Sequence, residues 1–286
     1  MKNFSSLIWK EVHTLTTETP GYLKPDCEHC IGLCCVALPY SKSAYFAVNK
    51  ESGTPCHNLL SNFQCKIHKE LRSKGFRGCA AYECFGAGQK VSQFTYEGKD
   101  WRNDAEQANE MFRVFPITQQ LHEMLWYLHQ ALSMEATIPI YDQLQVLYEE
   151  TEHLTKQSPE YILKINVREH RAKVNELLLR TSELIRAKSL NKKFKKKIQY
   201  DLIGAKLNGA DLKGASLRGV LLIAADLRNA DLRTVDFIGA DLRDADLSGA
   251  NLMGSFFLTQ AQINAAKGDR NTKLPNSLSI PLHWKR

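Results

Sequence analysis

The sequence predicts an α+β, multidomain fold: a Cys-rich metal-binding module, a helical middle domain and a C-terminal third written in five-residue words. Three observations predict it. All eight cysteines of the 286-residue chain fall between Cys27 and Cys84. Residues 103–190 carry apolar side chains at helical spacing. From Tyr200 to Thr259 the chain repeats every five residues without a gap. The boundaries that follow are 1–100 for the Cys-rich module, 101–198 for the helical domain ending in a basic linker, 199–264 for the repeats with a helical cap, and 265–286 for a tail.

The cysteines read Cys27-x2-Cys30-x3-Cys34-Cys35, then Cys56-x8-Cys65-x2-His68, then Cys79-x4-Cys84. Short spacings let a tight loop aim several thiolates at one point, which a soft or borderline metal requires. Adjacent side chains diverge, so Cys34 and Cys35 suit two ions or a bridged cluster better than a disulfide. The candidate metal ligands are Cys27, Cys30, Cys34, Cys35, Cys56, Cys65, Cys79 and Cys84, with His68 as a further candidate because of its CxxH step. His29 and His57 lack ligand-like spacing. Reduced structural thiols and four disulfides are the alternatives; the second needs an oxidising compartment. Gly86-Ala87-Gly88-Gln89-Lys90 lacks the spacing of a phosphate-binding loop and reads as a turn. No cysteine is marked out as a nucleophile, and no catalytic residue is assigned.

The segment DCEHCIGLCCVALPY, with Cys56, Cys65 and the later cysteines, resembles the Cys-rich family described as a zinc- or iron-chelating domain (YkgJ-like). Cys27, Cys30, Cys34 and Cys35 match its first group. The resemblance implies zinc, iron or an iron–sulfur cluster as the cofactor.

In the middle, Pro116 is placed to open a helix, and Ile117, Leu121, Met124, Leu125, Leu128 and Leu132 follow at helical spacing. Ile140, Leu144, Leu147 and Tyr148 make a second apolar face. Ser158-Pro159-Glu160 reads as cap, first-turn proline and acidic first turn of one helix running to Ile185. Lys188, Lys192, Lys193 and Lys195–Lys197 then form the basic linker, whose charge suits a helix C-terminus.

In the repeats, position three is Leu or Phe in all twelve words, from Leu202 to Phe257, and position one is Ala or Val in ten. A period of five fits neither helix nor flat strand. It fits a chain that turns a corner once per word and points two residues inward. Glycine recurs at position five, where a turn favours a residue without Cβ. The words ADLKG, ADLRN, ADLRD, ADLSG and ANLMG resemble the pentapeptide-repeat family. That resemblance implies a right-handed parallel β-helix, here of three coils and roughly 14 Å tall at about 4.8 Å per coil. It stacks Leu202 on Leu222 and Leu242, and Leu217 on Phe237 and Phe257. Thr259 is placed to cap a short helix through Ala266 that covers the coil edge.

Outward positions carry six basic residues against eight aspartates, a net of −2 over 200–259. Some members of that family are acidic rods that mimic duplex DNA and protect DNA gyrase from inhibitors; this short, balanced region mimics DNA poorly. Two outward apolar strips, Ile203 with Leu221 and Ile223, and Ile238 with Phe256 and Leu258, need a cover from the helices or from a second copy in a homodimer. No apolar run approaches the length of a membrane span, and no secretion signal is read at the N-terminus. The expected protein is cytoplasmic, metal-containing and active by binding a macromolecule, with a protein rather than a nucleic acid or a membrane as partner. An iron–sulfur redox or metal-dependent enzyme is the alternative, and gyrase or other target protection the second.

Overall fold

A computed structural model describes residues 18–187 and 200–285. The basic linker of Lys188–Lys197 and the N-terminal segment read for a secretion signal lie outside the described residues.

The Cys-rich module is mostly turns and loops. Its regular pieces are short: α1 (Leu33–Ala37), α2 (Arg77–Ala80) and α3 (Ala87–Gln89), the last continuing as a π-helical turn through Thr95. Two isolated antiparallel bridges, Tyr40 with Lys50 and Leu59 with Cys65, tie the loops between them. Ile31, Leu33, Ala37, Ala87, Val91 and Tyr96 pack with Met111, Val114 and Phe115 of the next helix. The module therefore shares a core with the helical domain.

That helix, α4 (Ala105–Leu132), begins well before the expected start at Pro116, which sits inside it. An interior proline costs roughly 3 kcal/mol. The helix continues through it because Asp104 caps the earlier start, accepting from the backbone N–H of Glu106 and Gln107, and because Ala108, Met111, Val114 and Phe115 are all buried. α5 (Tyr141–Thr155) packs against α4 through Leu144 and Leu147. The single helix expected after Ser158 is two. Ser158 caps α6 (Pro159–Ile162), accepting from the Tyr161 N–H. Asn166 then caps α7 (Val167–Arg186), accepting from the Glu169 N–H. A second cap inside an apolar stripe starts a new helix where periodicity alone reads one.

The predicted right-handed parallel β-helix of three coils, and with it the α+β class, needs correction. Among the described residues there is no β-strand and no sheet; the regular structure is helical. The repeat region is a succession of turns joined by isolated parallel bridges between residues twenty apart, such as Asp211 with Asp231 and Asp231 with Asn251. The word length explains this. Each turn closes on itself, as when the Ala205 N–H donates to the Leu202 carbonyl at 3.1 Å, leaving position two as the single extended residue. One residue makes a bridge but not a strand.

The turns impose a left-handed backbone at position five. Gly204, Gly209, Gly214, Gly219, Gly239, Gly249 and Gly254 all have φ between 64° and 70°, which glycine adopts without strain. Inside, Leu217, Leu222, Leu227, Leu232, Phe237, Leu242, Leu247 and Leu252 are buried to 1% exposure or less. Each contributes about 1.5–3 kcal/mol of transfer free energy.

Phe257 leaves this ladder, contrary to the expected register. Its φ is +54°, its backbone N–H donates to Gln130 Oε1 at 3.0 Å, and its ring meets Tyr127 edge-on. Phe256 joins the same helical core with Ile238 at its edge, so α4 covers part of the second apolar strip. Leu258 turns inward among the repeat residues instead. The first strip stays more open, with Ile203 at 53% exposure. α8 (Gln260–Ala265) closes the end, its capping box made by Thr259 and Gln262. Beyond it Lys267 and Lys273 bridge back to Asp246 and Asn251, and Trp284 packs into the repeat core.

Candidate metal-thiolate centre

All eight cysteines are free thiols, and local structure positions most of them. Asp26 accepts from the N–H groups of Glu28 and His29, curling the Cys27–Cys30 loop. Gly32, at φ +71°, opens α1, which carries Cys34 and Cys35. The Cys56 N–H donates to the Cys35 carbonyl at 3.0 Å. The Cys56 sulfur accepts from the Tyr40 hydroxyl at 3.3 Å and from the Asn58 N–H at 3.4 Å. Cys65 lies in the bridge with Leu59, and Cys79 on α2. The GAGQ segment, expected to be a turn, is instead the start of a helix, with Gly86 as the residue before α3 and Lys90 beginning the π-helical turn. A Cβ on Gly88 would stand 2.7 Å from the Cys30 sulfur, so only glycine lets this backbone pass so close to the thiol.

The thiols fall into two neighbourhoods joined at the Cys34–Cys35 pair. Cys30 and Cys84 add to the upward shift of Cys34, and Cys30 adds to that of Cys84. Cys35, Cys56 and Cys65 do the same to Cys79. The Cys34 thiol donates to Cys35, which pushes Cys34 up and holds Cys35 down as the more acidic partner. Burial pushes Cys79 up to about 12 and Cys84 up to about 11. Burial also raises Cys27, Cys30 and Cys65.

Lys50 was not singled out in the sequence. It is buried, and its ammonium donates to the carbonyls of Val36, Glu51 and Thr54 at 3.0, 3.1 and 3.0 Å. It lies near enough to lower the Cys35 pKa. Burial lowers its own pKa, and the neighbouring thiols oppose that shift. A single lysine outside any motif carries no sequence signal for such a role.

Two buried donors beside these thiols have no partner: the Asn58 Nδ2, next to Cys56, and the Tyr82 hydroxyl, next to Cys34 and Cys84. Buried polar groups are normally satisfied, so both stand where an acceptor is missing. Eight soft donors with two spare hydrogen-bond donors match the chemistry of a thiolate metal site. The side-chain placement is not that of a closed site. Among the described residues, no three His, Cys, Asp or Glu side chains stand where they could share an ion. His68, like His29 and His57, is exposed.

The module is anchored to the repeats. Arg77 pairs with Asp244, and the Tyr45 hydroxyl donates to Asp244 at 3.0 Å. The Tyr45 ring lies between the guanidiniums of Arg77 and Arg243, at 5.4 and 5.1 Å. The Arg72 guanidinium donates to the Asn264 carbonyl, and the Asn264 Nδ2 donates to the Ala80 carbonyl at 3.3 Å.

The turns with glycine at position five and the buried Leu ladder define the C-terminal class. The pentapeptide-repeats family matches residues 201–233 and 222–257, and the chain is a pentapeptide-repeat protein. It is 68% identical over 265 residues to the uncharacterized protein YybG of Bacillus subtilis strain 168, covering 92% of this chain and 95% of that relative. The chain belongs to the same family as that relative. No solved structure matches it. No helix among the described residues is long and apolar enough to cross a membrane.

Proposed function

We propose that the Cys-rich module is a metal or iron–sulfur binding unit docked on a pentapeptide-repeat scaffold, and that the assembly acts by binding a protein partner. The observation that carries this reading is the pairing of eight free thiols with the orphaned Asn58 and Tyr82 donors. Thiolates bound to a metal accept hydrogen bonds, which would satisfy both. The resemblance of the first cysteine group to zinc- or iron-chelating domains supports the same reading. Closing a site needs side-chain rotations, with backbone carried on short helices and loops. Bound metal would cross-link these loops and add its binding energy to folding. A cytoplasmic setting fits the reduced thiols. The exposed Tyr200 and Ile203, at 64% and 53%, support a protein surface as partner.

The test is elemental analysis and absorption spectroscopy of protein prepared with and without oxygen. About one or two ions per chain are expected, lost in Cys34→Ser/Cys35→Ser together with a lower melting temperature. Metal-free protein that titrates eight thiols and melts unchanged after chelation would overturn the proposal.

A further inference from the structure

A second site lies away from the thiols, between α4, α7 and the repeat turns. The cavity there measures about 490 Å³, a size usual for small-molecule sites. Its lining includes Tyr127, which is only 5% exposed. The ring is held edge-on by Trp126 and Phe257. Its hydroxyl has no hydrogen-bond partner among the described residues, and the charges it feels come from Glu123, Asp236, Arg171 and Arg218. The ring is packed while the hydroxyl opens onto the cavity, where a ligand acceptor can take the place of solvent.

Three arginines line the same cavity. Arg218 is fixed, donating to Asp236 Oδ2 at 3.0 Å and to Asn175 Oδ1 at 2.6 Å. Arg171 reaches Glu123 Oε2 only at 3.3 Å. Arg168, in the first turn of α7, has no acidic partner among the described residues. Three guanidiniums against the carboxylates of Glu123 and Asp236 leave one positive charge uncompensated. Met124, Leu178 and Ile238 supply an apolar wall beside this charge.

We infer that this cavity binds a small organic anion. Its carboxylate or phosphate head accepts from the Tyr127 hydroxyl and Arg168, and its apolar stem lies along Met124, Leu178 and Ile238. Because the lining comes from both helices and repeats, such a ligand bridges the two parts of the protein. The inference does not depend on metal in the Cys-rich module.

The test is calorimetric titration of the full chain with octanoate and with octyl phosphate, with octylamine as the cationic control. Saturable binding of either anion is expected, and the tighter one identifies the head group. Tyr127→Phe keeps the ring contacts and should weaken binding about tenfold or more. The melting temperature of the unliganded variant should not fall, because the hydroxyl makes no bond to lose. Arg168→Gln should weaken binding in the same direction. Failure of both anions to bind at millimolar concentration, equal binding of octylamine, or unchanged affinity in Tyr127→Phe would each overturn the inference.

Discussion

Mild acid should destabilise this fold through His122. The ring is 1% exposed in the middle of α4, and its Nδ1 bonds the Phe85 carbonyl at 2.8 Å. Burial pushes its pKa down to about 4, the Phe85 carbonyl opposing and Lys90 reinforcing the shift. In the unfolded chain the ring takes a proton near pH 6.5. The folded state therefore binds fewer protons between these values, and stability present above pH 6.5 is lost as pH falls towards 4. Integrating between the two pKa values gives a loss of about 2 kcal/mol at pH 5 and about 3 kcal/mol once pH drops below 4. His122→Gln removes the titration while keeping a donor for the carbonyl. Urea unfolding of both proteins at pH 7.5 and pH 5 isolates the effect, because the exposed histidines cancel in the comparison. The wild-type midpoint should fall further than that of the variant, by about 2 kcal/mol at equal m-value. Parallel pH dependence in the two proteins would refute the assignment of a buried, neutral His122.

Two substitutions test how the repeats are built and held. Phe257→Ala should cost roughly 3–5 kcal/mol, since the side chain is fully buried and joins the repeats to α4. A loss below about 1 kcal/mol in denaturant unfolding would show that this junction does not depend on packing. Thr234→Gly should instead stabilise by about 1 kcal/mol, because a β-branched residue there sits at φ +54°, where glycine has no strain. A lower melting temperature in that variant would mean that the threonine contacts outweigh its backbone cost.

Local regularity was legible. The Leu and Phe periodicity identified the inner residues of nearly every word, and glycine marked the left-handed turn that eleven of the words adopt at position five, four of them with Ala224, Asn229, Thr234 or Asp244 in its place. The strand content was misjudged because period five reports a corner per word and says nothing about whether extended residues run consecutively. Phe257 was misplaced for a related reason. Its pattern position is inward, but its ring packs edge-on against Tyr127 and Phe256 outside the ladder. The helix boundaries failed at Pro116 and at Asn166, where a capping side chain and burial against distant residues outweighed local propensity.

The cysteine spacings picked out the thiols, but their arrangement depends on contacts between parts of the chain remote in sequence. Cys79 shows why. It lies on α2, whose Arg77 holds Asp244 and whose Ala80 carbonyl accepts from Asn264. Both ends of this short helix are thus fixed by the repeat region, more than 160 residues further along. Asp244 can serve here because it takes the left-handed position of its word, at φ +59°, where an aspartate is tolerated better than most residues. A glycine at 244 would relax the turn and remove the carboxylate that orients Arg77 and Tyr45. The strained residue is therefore kept for its side chain, and the repeats position one of the thiols as well as burying their own core.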